Sequence, residues 1–229
     1  KIKEEIPYIG GAREGRAREF GANGAPVHER NYVNGKEEGI SRDFYPEGQT
    51  LREYDYMGGE QKGYIREYYE TSALKAVWKA MDGIREGLGK EYYPAGELRS
   101  EGYFVNGKLN GPVRVYYPNG KLKTEVNYKD GLMHDDAYKE LYDSAEVLLK
   151  GKMAWGKRQG VFKEFFKRGG IQREGIYKDD LPEGAFKNYS EPGYVRSEDF
   201  YEKGILLHHK EYDDKGKLVS ERFFYEHAK

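Results

Sequence analysis

The chain has 229 residues, of which 37% are hydrophobic, 34% charged and 15% aromatic. A mean hydropathy of −0.97 is too low for a conventional two-layer core of this length, yet 22 Tyr, 10 Phe and 2 Trp mark a chain that packs rather than one that stays disordered. The balance of 39 basic against 40 acidic residues argues against steering toward nucleic acid, and the lack of cysteine excludes disulfides, thiolate nucleophiles and cysteine-ligated metals.

From the N-terminus, residues 1–7 read as a cap. The chain opens on Lys1 rather than Met, so an N-terminal piece is expected to be missing, and any signal peptide or lipid anchor would have been lost with it. No apolar run reaches the roughly 18 residues of a membrane span. A repeat of the form aromatic-x-x-Gly-x-x-x-Gly then begins. It opens at Tyr8, Tyr32, Tyr56, Ala80, Phe104, Tyr128, Met153, Tyr177 and Tyr201, which gives nine copies over residues 8–224 at a spacing of 24, once 25. Residues 225–229 read as a C-terminal cap.

The second half of each copy repeats as well. A single ring or an aromatic pair, such as Phe44-Tyr45, Tyr92-Tyr93 or Phe165-Phe166, precedes a turn glycine, an apolar residue and then a glutamate. That glutamate is Glu29, Glu53, Glu101, Glu125, Glu174, Glu198 or Glu221. Within the clearest copy, Pro112–Tyr117 is rich in β-branched and aromatic residues, Pro118-Asn119-Gly120 is turn chemistry, and Lys121–Tyr128 is the returning strand. Each copy is thus a β-hairpin, and large rings lying over glycines of neighbouring strands provide contacts without a second layer. The glutamate column is expected to pair with Lys or Arg across strands, because a catalytic pair is one special site and not a ladder.

Departures from the pattern are the candidate functional positions. Copy three continues as Thr71–Met81, TSALKAVWKAM, without its turn glycine. A short helical turn capped by Thr71 or Ser72 would align Leu74, Val77, Trp78 and Met81; a strand with poor turn residues is the alternative. Under the functional reading Trp78, with Leu74 and Val77, anchors a partner. Copy six carries one extra residue in 135–141, read as an irregular strand or bulge. Residues 150–173 hold eight basic side chains and one acidic one among Trp155, Phe162, Phe165 and Phe166. Lys157, Arg158, Lys167 and Arg168 are the candidate patch there for an anionic ligand, unless strand alternation scatters them. The five histidines form no HExxH, and adjacent His208 and His209 point to opposite faces if they lie on a strand. No GxSxG or phosphate-loop motif occurs.

The residues YxxGxxxGxxxxYYxxGxLxxExx resemble the MORN-repeat variant found in many bacterial proteins. The resemblance implies an all-β fold in which tandem 24-residue hairpins form an elongated, twisted, mostly single-layer antiparallel sheet. It also implies non-catalytic binding or scaffold modules, some of them antitoxins; relatives with the standard repeat bind lipid headgroups. Most copies here lack the standard repeat's Trp-containing YxGxW element. The expectation is a non-enzymatic scaffold with no catalytic residue, cofactor or metal. It would bind another protein within a complex, as an accessory part of a bacterial cell-envelope or secretion assembly. The alternatives are an antitoxin or immunity protein and a peripheral binder of anionic lipid. Export is favoured over the cytoplasm, and no nucleic-acid partner is expected. Lys1–Ile6 and Glu226–Lys229, a partner or a second copy would cap the sheet edges.

Overall fold

The computed structural model describes residues 3–134 and 137–224, in two compact units, Lys1–Gly120 and Lys121–Lys229. The first contains β1 (Glu4–Glu5), β2 (Tyr8–Ile9), β3 (Ala12–Arg13), β4 (Gly15–Phe20), β5 (Pro26–Val33), β6 (Lys36–Glu37), β7 (Gly39–Phe44), β8 (Thr50–Met57), β9 (Glu60–Tyr68), β10 (Leu74–Met81), β11 (Ile84–Tyr92), β12 (Leu98–Val105) and β13 (Lys108–Tyr116). The second contains β14 (Leu122–Lys129), β15 (Leu132–Met133), β16 (Tyr138–Leu141), β17 (Val147–Ala154), β18 (Lys157–Phe165), β19 (Ile171–Lys178), β20 (Leu181–Tyr189), β21 (Val195–Glu202), β22 (Ile205–Tyr212) and β23 (Leu218–Phe223). Among the described residues there is no helix.

Each unit is an antiparallel meander of hairpins. In the first, β1 pairs with β4, and pairing runs on through β5, β7, β8 and in order to β13. The pair β2–β3 stands as a separate hairpin, and β6 lies beside β5. In the second, β14 pairs with β16, pairing continues in order to β23, and β15 lies beside β14. Of the segment 135–141 that carries copy six's extra residue, residues 135 and 136 lie outside the described residues. Glu4 and Glu5 of β1 cover the first two positions of the β4 edge that pair, Glu19 and Arg18; the C-terminal capping residues 226–229 lie outside the described residues.

Two kinds of turn alternate. Between copies, two consecutive residues take positive φ, as in Asn34-Gly35 (49°, 80°) and Asn106-Gly107 (49°, 77°). That is the backbone a two-residue hairpin needs to match strand twist, and Asn-Gly supplies it at least strain. A glutamate of the preceding copy caps such turns: Glu14 accepts from the Asn34 N–H at 2.7 Å and Glu86 from the Asn106 N–H at 3.0 Å. Within copies, the paired aromatics close the other turn. The second ring of the pair donates to a main-chain carbonyl 23 residues on: Tyr45 to Tyr68, Tyr69 to Tyr92, Tyr93 to Tyr116 and Tyr142 to Phe165, at 2.7–2.9 Å. Neighbouring copies are thereby tied by a bond that needs the hydroxyl.

One face of the sheet, the ring face, packs large side chains on glycines. Phe162 lies directly opposite Gly175, and a Cβ on Gly175 would meet the Phe186 ring at 2.2 Å. Gly151 lies similarly under Phe162, at 2.5 Å. The rings then meet edge to face, Phe162–Tyr177–Phe186–Tyr201, with centroids 5.2–5.5 Å apart, the geometry that aromatic quadrupoles favour.

Thr71–Met81 contains no helical turn. Leu74–Met81 is the strand β10, paired on both sides with β9 and β11. Ser72 takes a φ of 64° in the turn position where other copies have glycine. Side-chain packing explains the outcome. Trp78 lies opposite Ile65 on one side and Gly89 on the other. This is the same large-against-glycine contact with the large residue and the glycine exchanged between strands, and Ala80 leaves room beside it. Burial of Trp78 across three strands outweighs the local helical preference of LKAVWKAM.

At the far end of the ring face, His209 Nδ1 lies 2.6 Å from Asp199 and Nε2 lies 3.3 Å from Glu211. The bond to Asp199 above all holds the imidazole pKa over its ordinary value, against burial. A pKa raised by folding stabilises the fold fully below the unfolded value of about 6.5 and ceases to do so as pH rises through the folded value. Stability is therefore expected to decline over that interval, and His209→Asn to flatten the decline. Parallel urea-midpoint profiles for the two proteins would refute this.

Candidate binding surface

The opposite face, the ladder face, carries a row of charges directly across from one another. In the first unit it runs Arg18, Glu29, Arg42, Glu53, Arg66. Glu29 is 6% exposed, and it accepts from Arg18 Nε at 3.0 Å and from Arg42 Nη1 at 3.4 Å. In the second unit Lys163, Glu174, Lys187, Glu198, Lys210 and Glu221 alternate in the same way. Four tyrosines at the first ring position of their copies join this row. Tyr68, Tyr116, Tyr189 and Tyr212 donate their hydroxyls to Glu53, Glu101, Glu174 and Glu198, at 2.7–2.9 Å. Lys163 and Tyr189 hold Glu174 below the usual carboxylate range. Burial, with Glu174 adding to it, pushes the Tyr189 hydroxyl up to about 12. The glutamate column is thus a set of cross-strand ion pairs.

Between the ladder and the turns joining successive copies, the same face exposes apolar side chains. Directly opposite pairs are Leu88 with Tyr103, and Val161 with Ile176. Leu181 and Ile205 are exposed beside their turns. The turn after β17 carries Trp155, which is 74% exposed at a φ of 52°. A bulky residue rarely takes that backbone, which costs roughly 1–2 kcal/mol relative to glycine. Met133, His134, Met153 and Ala154 line a shallow depression at its side.

The proposed anchor set is not one surface. Trp78 is 9% exposed, with the Arg85 guanidinium 4.1 Å over its ring. Val77 points to the other face, opposite Arg66 and Lys90. Leu74 lies beyond a bulge near the turn. The available tryptophan is Trp155, whose place in a positive-φ turn could have been found by aligning it with Asn34 and Asn106. The basic patch is divided too. Lys157 and Arg158 begin β18, whereas Lys167 and Arg168 lie in the turn beyond its other end, some 30 Å away at about 3.3 Å per residue. Arg158 pairs with Asp180 and stacks on Tyr177, and Lys167 pairs with Asp143.

Stacked hairpins with a ring face and a charged ladder define a β-hairpin repeat protein. The model of the MORN repeat variant matches residues 85–106, 109–130 and 158–179. The chain carries MORN-variant repeats, and such repeats suggest a non-catalytic repeat scaffold. No curated protein matches the chain. Two solved structures align over 96% of it. One is a crystal structure of TcdB2-TccC3-Cdc42, at 10% identity and a TM-score of 0.21. The other is the Tc holotoxin pore of Photorhabdus luminescens, at 9% and 0.16. The chain spans 17% and 15% of those chains, and at these scores the likenesses bear on neither fold nor function.

Proposed function

We propose that the chain is a non-catalytic, protein-binding scaffold that lays its ladder face and adjoining turns against a partner protein. The setting proposed for it is an accessory role in a bacterial cell-envelope or secretion assembly. Trp155 carries this reading. An exposed tryptophan held in a costly turn gives the fold nothing that asparagine would not, and tryptophan is the side chain most enriched among binding hot spots.

The test sets stability against binding. Trp155→Asn is expected to raise unfolding stability by up to about 1 kcal/mol and to weaken the partner complex by at least about 2 kcal/mol, roughly 30-fold. Wild type and variant are purified gently from the native source, and co-purifying proteins are identified by mass spectrometry. A stoichiometric partner that the variant loses supports the scaffold. An envelope component favours the setting stated above, and a toxin favours the antitoxin version. A partner retained undiminished by the variant would count against this surface.

A further inference from the structure

The charged ladder has one reversed position. Every copy supplies a basic residue to it: Arg18, Arg42, Arg66, Lys90, Arg114, Lys139, Lys163, Lys187 and Lys210. Seven copies supply the glutamate. Copy three has Val77 instead, and copy six has Lys150. Lys150 lies directly opposite Lys139 on β16 and directly opposite Lys163 on β18. Directly opposed side chains share a face with Cβ atoms about 5 Å apart, so three lysine side chains stand side by side on consecutive strands where the rest of this unit's row alternates in sign. Lys163 is bound to Glu174 at 2.9 Å. Lys139 and Lys150 are exposed, and among the described residues neither has an ion pair. The supporting ring has changed as well. Position 165, where four other copies place the tyrosine that donates to the glutamate, is Phe165, and the Lys150 ammonium lies 4.9 Å from its centroid. An acceptor-seeking hydroxyl has given way to a ring that suits a cation. Grooves flank Lys150 on both sides, one bordered by Val147 and Phe165, the other by Lys152 and Val161.

We infer that Lys139, Lys150 and Lys163 form a receptor for a carboxylate on an acidic segment of a partner protein, which supplies in trans the negative charge that copy six omits. The inference rests on the scaffold reading above and names the chemistry of the partner. Like charges directly opposite one another destabilise a sheet, and a bound carboxylate removes that repulsion. Val161 and Ile176 lie one cross-strand pair along from Lys163 and Glu174 on the same face, exposed. The segment recognised is therefore acidic with an apolar neighbour.

The test uses the full chain, a capped glutamate-rich peptide with a central leucine, and its glutamine counterpart, at low ionic strength. The glutamate peptide is expected to bind and the glutamine peptide not. Lys150→Glu should weaken binding about tenfold or more while raising the urea midpoint, because it restores the ladder. Lys215→Glu makes the same change in net charge in the exposed turn between β22 and β23 and should leave affinity within about twofold. Equal loss in both variants, or equal binding of the two peptides, overturns the inference. Inorganic phosphate or phosphatidylserine vesicles that bind more tightly than the peptide, with the same dependence on Lys150, would overturn it in favour of a phosphate or a headgroup. A partner lost on Trp155→Asn but kept undiminished on Lys150→Glu leaves the scaffold standing and removes this inference. Peptide binding that depends on Lys150, with a partner indifferent to Trp155, does the reverse for the turn surface.

Discussion

Phe186→Ala is expected to destabilise the second unit by about 3 kcal/mol, the lower end of the range for deleting a core phenylalanine. The ring is 1% exposed, meets Tyr177 and Tyr201 edge to face, and lies under the Arg173 guanidinium at 5.1 Å. A single sheet relaxes and hydrates more readily than a two-layer core, hence the lower end. Gly175→Ala attacks the same contact from below. With its Cβ only 2.2 Å from a ring carbon of Phe186, it should cost about 1–3 kcal/mol through overpacking. The double variant is decisive. Once the ring is gone the new methyl has room, and alanine is the better strand residue, so Gly175→Ala/Phe186→Ala should be no less stable than Phe186→Ala alone. Strict additivity in urea titrations would show that the ring and the glycine do not act as one contact. Because hairpin arrays open locally, hydrogen exchange should place the loss in β18–β21.

Glu29→Ala should cost about 1–3 kcal/mol. The carboxylate is nearly buried and faces Arg18 and Arg42, with Arg16 at 3.6 Å. Removing it leaves guanidinium groups facing one another with no anion between them. A wholly buried pair broken in this way costs about 3–5 kcal/mol, but these arginines are 32–56% exposed, and solvent screens what remains. The deficit should shrink in 1 M salt, where the screening length falls to about 3 Å. Glu221, at the more exposed end of the second unit's row, is the control, and its alanine variant should cost less than about 1 kcal/mol. Equal losses at the two sites, or a Glu29 deficit indifferent to salt, would mean that burial does not set the strength of the ladder.

Much of this protein is legible along the chain. The spacing of 24, the Asn-Gly and Asp-Gly turns and the glycines that rings must cover define the hairpin and its repetition, because each is a local requirement of backbone or pleat. The pairing of the glutamate column is legible for the same reason, since one residue type recurring at one phase must meet one partner type. What lay beyond the sequence depended on register. Lys139, Lys150 and Lys163 are separated by 11 and 13 residues, unequal intervals that become a single row only when two hairpins fold back on each other. Thr71–Met81 has a helical stripe by itself, but Trp78 finds Ile65 and Gly89 on strands already formed around it. The two tryptophans exchange roles for a related reason: Trp78 stands where a glycine across the strand makes room for it, and Trp155 stands at a turn with nothing above it. Local chemistry determined the repeat, while tertiary structure decided the charge reversal and the available tryptophan, because cross-strand contact joins residues whose separation is set by where the turns fall.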